Sequence, residues 1–262
     1  MDFAESYGPW AVVNGASDGI GAAFAEALGE RGVNVVLVAR RRALLDEVAA
    51  HVTTETRTVV LDLSSPDAAA ELEAATSGLD VGLLVSNAGA DSHNTLFLET
   101  DLGDWEALAR RNCLTVLGVC HRLGGRMVAR GQGGVILVSS GAAWAGGAYL
   151  ATYAASKAFD VILAEGLWSE WHDHGVDVLS LVLGSTDTPS LRRTLERTGG
   201  DLGPLADPVD VARTGLDHVA DGPVWQYTSD DPTGPSPFGA VPRRQAAQLM
   251  SQGSSMIFGD RG

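Results

Sequence analysis

Short apolar runs alternate with longer amphipathic segments along this chain, from residue 10 to residue 227. Each apolar run has the length of a buried strand, and the segments between them have the periodicity of helices with one buried face. Strands that alternate with helices form βαβ units, in which the strands are parallel. The predicted strands are 10–14, 33–39, 57–62, 80–86, 134–140, 176–182 and 223–227, and the two longest predicted helices are 101–130 and 152–173.

This alternation predicts an α/β fold, a single doubly wound parallel-sheet (Rossmann) domain over residues 1–262 with helices on both faces. A chain of 262 residues that is 45% hydrophobic is long enough for one large core. The composition changes only at 229–239, where a run rich in Pro, Gly, Ser and Asp indicates a loop. We expect the C-terminal tail, 229–262, to cover the substrate side or to form a subunit contact.

The formal net charge of −15 argues against nucleic acid and against an anionic membrane surface as partners. Cys113 and Cys120 lie seven positions apart on one predicted helix, so we expect free thiols in a reducing compartment. No leader-like segment and no apolar run of ~18 residues is found, which predicts a cytoplasmic protein. No metal site is predicted, because His172 and His174 are two positions apart on a helix and do not share a face.

A glycine-rich turn, Asn-Gly-Ala-Ser-Asp-Gly-Ile-Gly at 14–21, follows the first predicted strand and leads into an amphipathic helix. Its spacing is GxxxGxG, which differs from the commoner GxGxxG. Backbone N–H groups and the positive helix end would face the pyrophosphate of a dinucleotide there, although the turn could merely close a βα unit. The predicted contacts are Gly15, Ser17, Asp18, Gly19, Ile20 and Gly21.

Tyr153 and Lys157 are four positions apart, so they share one face of a helix. A phenol ordinarily titrates near ~10, and an ammonium group one turn away favours its ionised form, which brings acid–base catalysis closer to neutral pH. Ser140 ends a predicted strand and delivers a hydroxyl to the same place. Any helix can contain this Tyr–Lys spacing by chance. The catalytic interpretation of the pair therefore depends also on the serine and on the glycine turn.

Together these motifs resemble those of the short-chain dehydrogenase/reductase family, over roughly residues 8–226. The resemblance implies a Rossmann fold, a nicotinamide cofactor, a small-molecule carbonyl or alcohol substrate, and a homodimer or homotetramer that pairs through the two longest helices. The catalytic residues it implies are Asn112, Ser140, Tyr153 and Lys157. The further cofactor contacts it implies are Asp62, Leu63, Asn87, Ala88, Gly89, Tyr153, Lys157, Gly184, Thr186 and Thr188.

The resemblance also implies a role for each catalytic residue. Tyr153 would exchange a proton with the substrate oxygen, and Ser140 would polarise that oxygen. Lys157 would favour the ionised phenol and bond the nicotinamide ribose. Asn112 would anchor a water that connects Lys157 to solvent, although it could instead be a structural residue in a kinked helix.

Three positions depart from the family pattern. Asn14 replaces the usual Thr, and Ser86 replaces the usual first Asn of the segment that contains Asn87. Both are polar and are expected to replace the lost hydrogen bonds. Leu183 replaces the Pro that usually precedes Gly184, which frees one backbone φ angle. No catalytic group is lost, so an active enzyme is expected.

The end of the second predicted strand bears on the choice of cofactor. NAD-binding folds place an acidic residue there for the ribose 2′-hydroxyl, whereas this chain has Ala39 followed by Arg40 and Arg41. Arginine forms charge-assisted bonds with a 2′-phosphate. Asp18 opposes this interpretation, because its carboxylate could lie near the same phosphate. We expect NADP(H) to be preferred, with NAD(H) as the alternative.

The substrate walls are expected at 91–97 and 142–149, with a lid at 185–205. The predicted substrate contacts are Ser140, Ala142, Trp144, Tyr149, His93 and Leu191. Their apolar and aromatic character favours a bulky compound, so the sequence predicts NADPH-dependent reduction of a ketone or other carbonyl to an alcohol, or the reverse.

One alternative is a non-catalytic, nucleotide-sensing protein on the same fold. Enoyl reduction is disfavoured, since relatives with that activity carry Tyr seven positions before the Lys, where this chain has Leu150.

Overall fold

A computed structural model describes residues 2–90, 93–227 and 229–259 of the chain. Seven parallel strands form one sheet in the order β3-β2-β1-β4-β5-β6-β7. The strands are β1 Trp10–Asn14, β2 Asn34–Ala39, β3 Thr56–Val60, β4 Val81–Ser86, β5 Gly133–Ser140, β6 Val176–Leu183 and β7 Val224–Gln226. Every predicted strand is confirmed, with ends that differ by two residues or fewer.

The α-helices that the structure describes are α1 Phe3–Tyr7, α2 Gly19–Glu30, α3 Arg42–Ala49, α4 Ala68–Ala75, α5 Leu102–Ala109, α6 Thr115–Val119, α7 Gly125–Arg130, α8 Ala151–Trp171, α9 Pro189–Thr198, α10 Pro208–Asp217 and α11 Arg243–Phe258. Short 3-10 turns follow β5 at Gly141–Trp144 and α8 at His172–His174. None of the helices in the described part of the chain has the length and apolar character that crossing a membrane requires.

Helices cover both faces of the sheet, as predicted for a doubly wound fold. On one face α2 and α10 pack over the strands, with Phe24 and Leu216 in a continuous buried cluster. On the other face α4, α7 and α8 contribute Leu72, Met127 and Ala164 to a second cluster. β1 and β4 are buried along their whole length, as expected of parallel strands that are covered on both sides.

The direction of winding reverses between β1 and β4, which lie side by side although two strands separate them in sequence. Their last residues, Asn14 and Ser86, are register partners. In an open α/β sheet, ligands bind beside the carboxyl ends of the strands at such a switch point. The fold therefore places the glycine turn after β1 next to the segment that follows β4.

The predicted helix 101–130 is not a regular α-helix. Two five-residue π-helical turns, Arg110–Leu114 and Cys120–Gly124, separate α5, α6 and α7. A π-helical turn inserts one extra residue into the helical register and is frequent at functional sites. The first of these turns contains Asn112, which therefore lies where the α-helical register is interrupted.

Candidate active site

The turn between β1 and α2 requires glycine for steric reasons. Gly15 has a φ of +76°. A Cβ on Gly21 would overlap the Gly15 carbonyl oxygen and lie 2.7 Å from Nδ2 of Asn87. That Nδ2 donates a hydrogen bond to the Gly15 carbonyl over 3.3 Å and so ties the β1 turn to the end of β4. The bare backbone beside the start of α2, at Gly19, fits the pyrophosphate of a dinucleotide.

The charge of Asp18 in this turn is compensated by an arginine. Nη2 of Arg41 lies 2.8 Å from Oδ2 of Asp18 and 3.3 Å from Oγ of Ser17. The objection that Asp18 would repel a 2′-phosphate is thereby weakened. Arg40 is exposed, and within the described residues it forms no ion pair with Asp18.

Asp62 lies beyond the end of β3, on the same side of the site as Arg40. The Ser64 backbone N–H donates to its Oδ1 over 2.9 Å, and the Ser64 hydroxyl donates to the same atom over 2.7 Å. These bonds, with a smaller contribution from the positive charge of Arg40, hold the pKa of Asp62 below its ordinary value. Asp62 is therefore an ionised acceptor at neutral pH.

The end of β5 is attached directly to α8. The Ser139 hydroxyl donates to the backbone carbonyl of Lys157 over 2.8 Å. The next residue, Ser140, accepts a hydrogen bond from the Ala142 N–H at 3.2 Å, which leaves its own hydroxyl hydrogen available to a ligand. Ser140 is thus held beside the helix that carries Tyr153 and Lys157.

Asn112 is buried, and its side chain has a structural role. Its Nδ2 donates to the Gly89 carbonyl over 3.1 Å and to the Ser156 hydroxyl over 2.9 Å. The Nε of Arg111 donates to its Oδ1 over 3.2 Å. Asn112 therefore joins the segment after β4 to α8, while its predicted role in anchoring a water stays a prediction.

Lys157 is the only lysine in the 262-residue sequence, and it is 5% exposed. Its Nζ donates to the Val138 carbonyl over 2.8 Å and to Oδ2 of Asp160 over 3.0 Å. Asp160 is 3% exposed. The sequence analysis missed this residue, although an acidic side chain three positions after the lysine on the predicted helix was the available signal.

Burial and charge act in opposite directions on the Lys157–Asp160 pair. Desolvation lowers the pKa of Lys157, but the carboxylate of Asp160 and, to a smaller extent, Tyr153 outweigh it, so that pKa is raised. Burial raises the pKa of Asp160, and the ammonium of Lys157 opposes that change. The distance of 3.0 Å between Nζ and Oδ2 is that of an ion pair, which leaves Lys157 charged.

Both cysteines are free. Burial, with the nearby charge of Asp160, raises the pKa of Cys113 to about 11 and that of Cys120 to about 12. Only the thiolate is a nucleophile, so both groups are unreactive near neutral pH.

A cleft of about 270 Å³ opens at the carboxyl ends of β5 and β6. Its lining residues are Gly141, Trp144, Val182, Leu183, Gly184, Gln226, Ser229, Pro237 and Phe238. Trp144 and Gly184 are predicted site residues, and Ser229, Pro237 and Phe238 belong to the tail that was expected on the substrate side or in a subunit contact, although none of the three was named individually. The tail carries no recognisable motif, and only the fold brings it to the strand ends.

The tail helix α11 packs against one predicted substrate wall, 142–149. The Ser251 hydroxyl accepts a hydrogen bond from the Ala148 N–H at 3.1 Å, and the Ser254 hydroxyl donates to the Ala148 carbonyl over 2.7 Å. The next residue, Tyr149, has a φ of +64°, a strained conformation for a bulky side chain. α11 therefore fixes the backbone directly before this strained residue.

The segment predicted to be a lid, 185–205, contains α9, and its start lies against the glycine turn. The Thr188 hydroxyl caps α9 by accepting from the Leu191 N–H at 3.2 Å. A Cβ on Gly19 would lie 3.0 Å from the Thr188 methyl group. Thr186 is buried and forms a β-bridge with Ala206. The predicted contacts Thr186, Thr188 and Leu191 thus occupy the base and first turn of the lid.

Two other residues named from the sequence are His93 and Asn14. The His93 ring packs edge-on against Trp105 of α5, with centroids 5.6 Å apart, and its contact with substrate stays a prediction. Asn14 was expected to replace a lost hydrogen bond, yet its Oδ1 is buried and has no partner within the described residues. The first two residues of the predicted wall 91–97, Asp91 and Ser92, lie outside the described residues, as do Thr228 and the last three residues of the predicted tail, 260–262.

The sheet is doubly wound and has a glycine turn after β1, and Ser140 at the end of β5 adjoins the helix that carries Tyr153 and Lys157. These are features of nicotinamide-dependent oxidoreductases. The family model described as short chain dehydrogenase matches residues 9–198. The chain belongs to the short-chain dehydrogenase/reductase family and is an oxidoreductase of that family, whose members use NAD(P)(H).

A 7beta-hydroxysteroid dehydrogenase from Clostridium sardiniense is 34% identical over 223 residues, which are 84% of this chain and 85% of the relative. A solved structure in a study of 7beta-hydroxysteroid dehydrogenase stereoselectivity matches with a TM-score of 0.84 at 29% identity, over 95% of this chain and 99% of that chain. A short-chain dehydrogenase from Sphingobium yanoikuyae, solved in complex with NADPH, matches with a TM-score of 0.72 at 27% identity, over 80% of this chain and 85% of that chain.

Proposed function

We propose that this protein reduces a ketone to an alcohol with NADPH, or catalyses the reverse reaction, on a bulky and largely apolar small molecule of about steroid size. One observation carries this proposal. The end of β5, which carries Ser140, is attached to the helix that carries Tyr153 and Lys157 through the bond from the Ser139 hydroxyl to the Lys157 carbonyl. The similarity to hydroxysteroid dehydrogenases supports the proposed class of substrate.

The residues of the cradle would hold the dinucleotide. Gly15 and the first turn of α2 would receive the pyrophosphate, and Asp62 and Asn87 would contact the adenosine part. Lys157 would bond the nicotinamide ribose, and Thr186 and Thr188 would orient the carboxamide. The nicotinamide supplies a hydride to the carbonyl carbon, or accepts one in the reverse direction.

Ser140 and Tyr153 act on the oxygen of the substrate. Ser140 donates a hydrogen bond to the carbonyl oxygen, which stabilises the negative charge that develops there during reduction. Tyr153 gives its phenolic proton to the same oxygen, and the product is an alcohol. The ammonium of Lys157 favours the phenolate that remains, and a proton from solvent restores the phenol.

The proposed preference for NADP(H) rests on the arginines after β2. Asp18 is already paired with Arg41, so the exposed guanidinium of Arg40 is the group left to meet a 2′-phosphate. The similarity to a dehydrogenase solved with NADPH agrees with this preference.

The proposal of a bulky, largely apolar substrate rests on the walls of the cleft. These walls are apolar, and several separate segments of the chain form them. Trp144 and Phe238 line the cleft at the ends of β5 and β6. The alternative of a nucleotide-sensing protein without catalysis is not favoured, because the predicted catalytic residues are all present and lie on elements that contact one another.

We also propose a homodimer or homotetramer that forms through the long helices. Leu114, Leu117 and Ile162 are 57%, 48% and 65% exposed on these helices, and burying them in a subunit contact would remove apolar surface from water. A monomer at micromolar concentration in light scattering would contradict this.

Tyr153→Phe tests the proposed reaction, because it removes only the phenolic oxygen. Without a proton donor, kcat for reduction of a bulky cyclic ketone is expected to fall by a factor of roughly 10²–10⁴. NADPH oxidation is followed by absorbance, and NADPH binding is measured separately. Tyr7→Phe is the matched control. Tyr7 lies on α1, its hydroxyl donates a hydrogen bond to Asp177 over 2.6 Å, and it is not part of the proposed site. Unchanged turnover in Tyr153→Phe would remove the residue from its proposed role.

A further inference from the structure

Asp160 is a buried carboxyl group for which the mechanism above has no role. Acidic side chains are rarely fully buried unless they are paired. Its Oδ2 bonds Lys157, whereas its Oδ1 has no hydrogen-bond partner within the described residues. Placing an acid at this depth beside apolar neighbours such as Val161 is costly. A side chain with a structural role alone would be expected to satisfy both oxygens, so the position of Asp160 points to Lys157.

The bonds of Lys157 have a clear geometry. An ammonium group has three hydrogens to donate. One goes to the Val138 carbonyl on β5 and a second to Asp160, one turn further along α8. A Cβ on Gly89 would lie 2.9 Å from Nζ, so the segment after β4 passes close to the ammonium group. The third hydrogen remains for a ribose hydroxyl.

We propose that Asp160 is a positioning residue for Lys157: its buried carboxylate keeps the Lys157 amine in the ammonium form and fixes Nζ against the end of β5. The catalytic part of this inference rests on the proposed function, whereas the charge and position of Lys157 do not. In this arrangement Asp160 touches neither substrate nor cofactor and acts through the lysine.

The groups that face this ammonium support the assignment to Asp160. On α8 they are Tyr153 and Asp160, and Cys113 faces it from the first π-helical turn. Cys120, on the second π-helical turn, faces Asp160. Because both thiols have pKa values of about 11 or higher, they are neutral across the pH range in which most enzymes work. Asp160 is therefore the negative charge that offsets desolvation of Lys157, whose pKa would otherwise fall.

The single lysine of this sequence makes a direct test available. Protein grown with lysine labelled with ¹⁵N at Nζ gives one side-chain lysine signal, from Lys157, in the cofactor-free enzyme. Asp160→Asn removes the negative charge, so the pH at which this signal changes from ammonium to amine is expected to fall by ~1–3 units. Glu165→Gln is the matched control, because it removes an exposed negative charge from the same helix and is expected to leave the midpoint unchanged.

Two further variants and the wild-type protein keep the test decisive. Asp160→Ser, which is neutral and smaller, should behave as Asp160→Asn does, and Asp160→Glu should keep the high midpoint. The wild-type signal should remain in the ammonium form past the ordinary lysine value of ~10.4. A lower wild-type midpoint, or an unchanged midpoint in the neutral variants, would overturn the proposal.

The rate profile gives the catalytic readout. In Asp160→Asn the alkaline decline of kcat/KM for reduction should begin at lower pH, because removing the carboxylate favours deprotonation of the groups around it. The apparent pKa of the alkaline limb of the rate profile belongs to the interacting groups around Lys157 together, not to one residue. A midpoint shift by NMR with an unchanged rate profile would overturn the catalytic part of the proposal. Lack of turnover with every carbonyl compound would instead count against the proposed function and leave the NMR result standing.

Discussion

The proposed cofactor side and the proposed substrate side of this site are built in different ways. The proposed cofactor side consists of turns at the ends of β1, β2 and β4 that lie close together, as in the bond from Nδ2 of Asn87 to the Gly15 backbone carbonyl. The substrate side is assembled from the segment after β5, from α9 and from α11. Ala148 and Ser254, which bond each other there, are 106 positions apart in sequence. A cradle made of backbone tolerates little change, whereas a pocket made of side chains from distant segments can be altered one contact at a time.

The two sides also differ in how they use unusual backbone conformations. In the cradle, positive φ angles fall on glycines, for which they cost little. In the substrate wall, Tyr149 adopts a positive φ, and α11 holds the residue before it. The first conformation follows from local sterics, and the second depends on a distant helix.

The largest expected effect comes from Gly21→Ala, because the added methyl group would overlap the Gly15 carbonyl oxygen. We expect NADPH to bind ~100-fold more weakly or not at all, and the free energy of unfolding to fall by ~1–3 kcal/mol. Fluorescence titration and thermal unfolding measure the two effects.

Gly166→Ala is the control with the opposite expectation. Gly166 lies on α8 with nothing within 4 Å of its added methyl group. Because alanine is the better helix former, this change should be neutral or stabilising by up to ~1 kcal/mol. Equal NADPH affinity in the wild-type protein and Gly21→Ala would show that the cradle does not hold the pyrophosphate.

A smaller effect is expected from changing the end of β2. Ala39→Asp combined with Arg40→Ala supplies an acceptor for a ribose 2′-hydroxyl and removes the cation for a 2′-phosphate. The ratio of NADPH to NADH affinity should fall ~10-fold, which corresponds to ~1.4 kcal/mol. Arg42→Ala is the control, because Arg42 pairs with Asp46 over 2.9 Å within α3. A ratio that stays constant in the double variant would show that the cofactor is selected elsewhere.

The smallest expected effect is on the substrate side. Ser254→Ala removes the hydroxyl that donates to the Ala148 carbonyl, a hydrogen bond worth ~1 kcal/mol. KM for a bulky ketone should rise ~5-fold, with the dissociation constant of NADPH unchanged. Ser255→Ala is the control, since Ser255 is exposed on the same helix. A change in NADPH affinity without a change in KM would mean that α11 supports the cofactor side instead.

The sequence was sufficient for features that depend on local order. Apolar runs gave all seven strands, and the glycine turn could be located from its own residues. Asp160, three positions after Lys157 on the same helix, was missed because the spacing alone does not show that both side chains are buried. The tail, 229–262, was expected on the substrate side or in a subunit contact, but Pro237 and Phe238 carry no motif that would single them out within it. The two π-helical turns were also missed, because one extra residue in a long helix hardly changes its hydrophobic pattern.

The amino-acid sequence by itself determined the α/β class, the order of the strands along the chain, the glycine turn and the spacing of Tyr153 and Lys157. Tertiary structure alone decided that Lys157 and Asp160 are buried together, with Lys157 against the end of β5, that Arg41 compensates Asp18, and that α11 packs against the wall before Tyr149. The physical reason is range. Hydrophobic periodicity and backbone sterics act between residues close in sequence, whereas burial and charge pairing depend on which segments the folded sheet brings together.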